Sequence, residues 1–228
     1  GAAGTAGASG ASGATERALA CAACGAAYPL LDHGIWDLLP PERAARFDAF
    51  LGEYTAVRRA EGRTALDPAY YRALPRVPRG HPLAWQWRIR ARSAAVLLAR
   101  VLPEAGPAPG VVDVGAGTGW LGRLLAERGA RPLSVDVSVD EGDGLGAMRH
   151  LDGATARRPA AALDVPPATA GAPTGAPTGA PADDWLPRLR ADFDRLPLPD
   201  GAADLVVFNA SLHYSPDLAT TLREALRV

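Results

Sequence analysis

Residues 111–120 read VVDVGAGTGW: an apolar run carrying one carboxylate, Asp113, then glycines at 115, 117 and 119, then a tryptophan that opens a helical pattern. Glycine tolerates positive φ and lets a backbone approach a ligand closely, while the first turn of a helix offers unpaired N–H groups and a positive dipole end. Three alternating glycines by themselves are also compatible with a tight turn that binds nothing. Their setting, with a buried strand before, a helix after and an acidic residue closing the next strand, favours a nucleotide.

Two details separate this turn from a pyridine-dinucleotide site. The dinucleotide fingerprint is G-x-G-x-x-G, with its third glycine spaced for helix packing beneath a pyrophosphate. Here Gly115, Gly117 and Gly119 are spaced one residue tighter. Asp113, two residues before the first glycine, would also repel a pyrophosphate. A carboxylate there suits a ligand with a positive charge, such as an amino-acid ammonium.

Working outward, GTGWLGRLLAERG reads as a helix stopped by Gly129, PLSVDV as a strand, DLVVFNA as another strand, and SPDLATTLREALRV as a helix with Ser215 at its N-cap and Pro216 in its first turn. Such alternation predicts an α/β fold with a Rossmann-like, doubly wound, mainly parallel sheet. Upstream, Phe47, Phe50, Leu51, Tyr54 and Val57 recur at helical spacing in 42–60, and Asp67-Pro68 reads as the cap of a short helix carrying Tyr70, Tyr71 and Leu74. In 82–102, Trp85, Ile89, Val96 and Val101 form an apolar stripe among Arg88, Arg90, Arg92 and Arg100, so that stripe is expected to face the core. Residues 1–17 lack periodicity and are expected to be disordered. The GAPT-repeating segment 153–184 reads as a flexible insertion.

Composition narrows the classes. A 228-residue chain of net charge −1, whose basic residues are all arginine, carries no overall field to recruit nucleic acid or an anionic membrane. Two cysteines do not make a disulfide framework, and no apolar run reaches the length of a membrane span. The opening GAAGTAGASGASGATER is not a secretory signal, so a cytoplasmic protein is the default expectation. The chain opens without Met and stops at REALRV, which reads as a fragment.

Taken together, D-x-G-x-G-x-G at 113–119, Asp136 closing the second strand, and ADFDRLPLPDGAADLVVFNASLHY resemble, in order, the motifs of the class I S-adenosylmethionine-dependent methyltransferases. The resemblance covers 111–228. It implies S-adenosyl-L-methionine as cofactor, Asp136 on its ribose hydroxyls, Asp192 near the adenine amino group and Phe193 beside the ring. It also implies Asp113, Gly115, Gly117 and Gly119 at the amino-acid end, with Asn209 binding that end or bracing the turn. The family sheet has seven strands, of which this stretch supplies four, leaving one sheet edge open. The domain is expected from residue 82, preceded by a helical region over 42–81.

Methyl transfer from a sulfonium is an in-line displacement, so a protein mainly aligns the acceptor and excludes water; a base is needed only when the acceptor loses a proton. His213 is the candidate base and Asn209 its neighbour, both at the carboxyl end of the fourth strand, where ligands collect in open α/β sheets. A packing role under a loop is the alternative for His213. FNASLHYS lacks the Asn/Asp-Pro-Pro-aromatic tetrapeptide of nucleic-acid amino methyltransferases of this fold, so a small-molecule acceptor is expected over nucleic acid. A protein or RNA acceptor, or a module that binds the cofactor without catalysis, are the alternatives. Trp85, Trp87 and Arg88, with Tyr70 and Tyr71, are candidates for an acceptor pocket, against a reading in which Trp85 and Ile89 are core and the arginines solvated.

The segment 18–41, CAACGAAYPLLDHGIWDLLPP with its flanks, resembles half of a zinc-ribbon domain related to methyltransferase activators. Cys21 and Cys24 would supply two of four ligands. The other pair is absent, His33 is a poor substitute, and a metal-free remnant is expected.

Overall fold

The computed structural model describes residues 18–21, 25–63, 67–152 and 186–228. The expected disorder of 1–17, the insertion 153–184 and Cys24 fall outside the described residues.

The glycine-turn strand is β4 (Gly110–Val114), buried along its whole length. It is followed by α5 (Trp120–Glu127) and β5 (Arg131–Asp136), which pairs parallel to it. Two further parallel strands complete this half: β6 (Arg188–Arg190) beside β5, and β7 (Leu205–Val207) beside β4. Valine enrichment and burial on both faces explain why β4 and β5 lie inside the sheet. The closing helix is α6 (Leu218–Arg227).

The segment that resembles a half ribbon forms strands of the same sheet. β1 (Ala18–Ala20) and β2 (Ala27–Leu31) pair antiparallel, β2 pairs antiparallel with β3 (Ile35–Asp37), and β3 lies parallel to β6. The sheet thus has seven strands in the order β1-β2-β3-β6-β5-β4-β7. Asp37 and Arg190 form an ion pair across β3 and β6 at 3.0 Å, and Leu38 N–H donates to the Arg190 carbonyl. The central parallel order with crossover connections is that of a Rossmann-like α/β fold.

Four helices lie between β3 and β4: α1 (Pro41–Ala44), α2 (Asp48–Ala60), α3 (Pro68–Ala73) and α4 (Ala84–Val96), the last continuing through a π turn at Leu97–Val101. Asp67 caps α3 as expected, accepting from Ala69 N–H. Apolar clusters cover both faces of the sheet. Val111, Trp87, Leu98, Trp120, Leu121, Leu125 and Met148 belong to one; Val112, Val114, Val135, Phe193, Leu196 and Val228 belong to the other.

Two local expectations are corrected. The stripe Trp85, Ile89, Val96 and Val101 faces outward; α4 and the turn after it bury Ala84, Trp87, Ala94 and Leu98 instead. On that face Trp87 packs edge-on against Trp120, within the same apolar cluster as Ala94 and Leu98. The last helix is capped by Asp217, whose carboxylate accepts from Ala219 and Thr220 N–H, not by Ser215, whose hydroxyl bonds to Thr221. An ionised cap opposite the helix dipole is the stronger of the two. No helix among the described residues is long and apolar enough to cross a membrane.

Candidate functional site

The turn after β4 is held by the neighbouring strand: Gly115 and Ala116 N–H both donate to the Val135 carbonyl, at 2.8 and 3.1 Å. Gly115, Gly117 and Gly119 have φ of 73°, 53° and 69°. A side chain on Gly115 would overlap Ser211, and one on Gly119 would meet Met148 Cγ at 2.5 Å. At Gly117 the nearest atom would be the Asp143 carbonyl, 3.9 Å away, so the middle of the turn opens on free space.

That space is an open cavity with about 810 Å³ of empty volume, its solvent-filled mouth included. Its floor is Asp113, the glycine turn through Thr118, and Asp136 to Ser138; Phe193 and Asn209–Ser211 form one wall. The opposite wall comes from Phe50, Leu51, Tyr54 and Arg58 of α2, Trp87 and Arg90 of α4, Asp143, and Tyr214.

Asp113 is 1% exposed, and its Oδ2 has no hydrogen-bond partner. Burial, then the nearby Asp136 carboxylate, pushes its pKa up to about 7. The buried Thr118 hydroxyl is also without a partner. Both are orphaned groups on a concave wall, free to bond to water or to a ligand that enters it. Asp136 is tied to the backbone: Oδ2 accepts from Gly117 N–H and Oδ1 from Ser138 N–H, both at 2.8 Å. It keeps lone pairs for a further donor, and burial raises its pKa.

The other candidates divide. Phe193 and Asn209 line the cavity. Asp192 does not: it is buried beside them and its carboxylate receives the Arg43 side chain from α1. His213 is exposed and off the lining, its ring 4.0 Å from that of Tyr214, which does line it. Trp87 lines the cavity and is buried, whereas Trp85 is 57% exposed. Among the described residues, no group of three or more His, Cys, Asp or Glu side chains could hold a metal ion.

Sequence reasoning missed the α2 wall as a site. Phe50, Tyr54 and Tyr214 stand in a ring triad with centroids 5.6–5.9 Å apart. Arg58 donates to Tyr54 Oη at 2.6 Å and pairs with Asp143 at 2.9 Å. Burial foremost pushes the Asp143 carboxyl up to about 6, with Arg58 opposing it. The Tyr54–Arg58 spacing of four residues was the available clue; Asp143 gave none, because its partner lies 85 positions away.

Fold and site define a Rossmann-like α/β protein with a cavity at the carboxyl ends of its central strands. Residues 144–228 match the family model of a methyltransferase domain. No curated protein matches the chain. Among solved structures, it is similar to a candidate S-adenosyl-L-methionine-dependent methyltransferase from Methanococcus maripaludis, at 18% identity and a TM-score of 0.44. That alignment covers 72% of this chain and 59% of the other, so the chain spans about three-fifths of that protein's length. The residues present fit S-adenosylmethionine: an orphaned carboxylate for an ammonium, a carboxylate by the turn for ribose hydroxyls, and an aromatic wall for a base.

Proposed function

We propose that this chain is an S-adenosylmethionine-dependent methyltransferase acting on a small molecule. The observation that carries the reading is Asp113, buried and unpartnered beneath a glycine turn that opens on a cavity. Asp113 serves as counter-charge to the cofactor's ammonium, with the Thr118 hydroxyl beside it. Asp136, fixed by Gly117 and Ser138 N–H, accepts from the ribose hydroxyls, and Phe193 stacks against the adenine. Asp192 acts one step back, by holding Arg43.

S-adenosylmethionine supplies a methyl group activated by its sulfonium charge. This chain's contribution is alignment and dryness: α2 and α4 bring Phe50, Leu51, Tyr54 and Trp87 over the cavity and limit access of water. Asn209 is placed to orient an acceptor at the β7 end. Asp143 replaces His213 as the group for a proton leaving the acceptor, since it lines the cavity and is pushed up to about 6, near the working range of a general base. The small-molecule acceptor is supported by a cavity walled on both sides and by a net charge of −1.

The test is calorimetric titration with S-adenosylhomocysteine, with NAD in parallel. Micromolar binding of the former alone, weakened at least about tenfold in Asp136→Ala, is the expected result; one such factor is about 1.4 kcal/mol. Binding of NAD, or of neither, would overturn the reading.

A further inference from the structure

The cavity wall built by α2 and α4 holds an unbalanced charge. Arg90 lines the cavity, half-buried, with its guanidinium 4.8 Å from the centre of the Trp87 ring. It has no hydrogen-bond or ion-pair partner among the described residues. Its neighbours do: Arg58 is paired with Asp143 at 2.9 Å, and Arg63 with Glu61 at 2.5 Å and with the Gln86 amide oxygen. Burial first, then the Arg63 and Arg58 charges, push the Arg90 pKa down; Asp143 and Tyr54 are the other groups that face it. Asp143, the one carboxylate among them, is already committed to Arg58. Three guanidiniums therefore converge on one cavity-lining carboxylate, and a desolvated cation without its anion is costly.

Resting on the methyltransferase reading above, we propose that Arg90 anchors a carboxylate of the methyl acceptor, whose apolar or aromatic body lies along Phe50, Tyr54 and Tyr214. A guanidinium takes a carboxylate through two parallel N–H···O bonds, which fixes orientation as well as position. The ring triad offers faces and edges to a planar body at that same wall. The acceptor class is thus a small organic acid. One other carboxylate shares this chemistry, that of the cofactor's own amino-acid end. Calorimetry with and without that amino-acid carboxylate separates the two.

The experiment is calorimetry on wild type and Arg90→Gln with four probes. S-adenosylhomocysteine carries the amino-acid carboxylate and 5′-methylthioadenosine lacks it. Benzoate, and benzamide as its neutral match, are titrated into protein saturated with S-adenosylhomocysteine. The expected result is that both nucleosides bind the two proteins within about twofold, while wild type prefers benzoate to benzamide by at least about tenfold and Arg90→Gln loses that preference. If Arg90→Gln weakens S-adenosylhomocysteine about tenfold but spares 5′-methylthioadenosine, Arg90 holds the cofactor's carboxylate and the proposal is wrong. Equal binding of benzoate and benzamide by wild type also overturns it, and needs no variant to fold. Wild type that binds neither nucleoside would show instead that the cofactor reading itself has failed, taking this proposal with it.

Discussion

Asp113 concentrates the electrostatics of the site. Its carboxyl is raised to about 7 by burial and by Asp136, so its ionised form is disfavoured in the folded state. The contribution of such a group to stability is fully present below its unfolded pKa, near 4, and is lost as pH rises through about 7. Asp113→Asn, neutral throughout, should therefore melt above wild type at pH 8 when ligand-free, with the gap closing toward pH 4. The same variant should lose S-adenosylhomocysteine affinity by roughly 10- to 100-fold, the scale of a hydrogen bond to a charged group. A wild type that is more stable than Asp113→Asn at pH 8 would mean the carboxylate has a partner. Gly115→Ala tests the turn: φ of 73° and overlap with Ser211 together should cost at least about 1–2 kcal/mol in urea unfolding.

At the scale of elements, α2 has no buried residues of its own and is held over the cavity by its contacts with the rings and ions around it. The Arg58–Asp143 pair is the central one, with side chains 12% and 19% exposed. Arg58→Ala leaves the Asp143 carboxylate without its cation. The expected loss is about 2–3 kcal/mol, at or below the low end for a buried pair broken from one side because both groups keep some solvent. Thermal unfolding measures it, and hydrogen exchange should show faster opening over 48–60 than elsewhere. At the far end, α6 relies on its Asp217 cap, and Asp217→Ala should cost about 1 kcal/mol. That helix returns Arg227 to the Leu196 and Leu198 carbonyls, so its loss would be felt in the approach to β7.

Over the whole molecule, the cavity is assembled from parts far apart in the chain. β4, β5 and the loops after β6 and β7 supply its floor and one wall; α2 and α4 supply the other. A ligand that bridges them should stabilise the entire fold, not one element. S-adenosylhomocysteine at 100 times its Kd should add about 2.7 kcal/mol, seen as a rise of roughly 5–10 °C in Tm for a chain of this size. A shift confined to a minor early transition would indicate that the α2–α4 wall unfolds separately. The strands β1–β3 belong to the same unit, since Arg190 joins Asp37 of β3 to the Val137 carbonyl on the cavity rim.

By itself, the sequence determined the α/β alternation, the parallel strands on either side of the glycine turn, and the cap at Asp67, because these depend on short-range rules: backbone sterics at glycine, side-chain alternation along a strand, and caps within three residues. Asp113, Asp136, Phe193 and Asn209 are singled out through the resemblance to methyltransferase motifs, and the fold lines one cavity with all four. Tertiary structure alone decided the rest. β6 reads Arg-Leu-Arg and shows no strand pattern; it lies within the sheet because Asp152 and Asp37, 36 and 153 residues away, neutralise its arginines. Helix α4 carries two apolar stripes, and only its packing against Trp120 and the surrounding cluster selects the one with Ala84, Trp87 and Ala94. Asp192 receives the Arg43 side chain, a pairing across 149 residues that no local pattern shows. His213 stood next to the right strand but on the outside of its turn. In each case the deciding partner lies beyond the reach of any local pattern, because charge pairing and helix facing are settled by which distant groups the fold brings together.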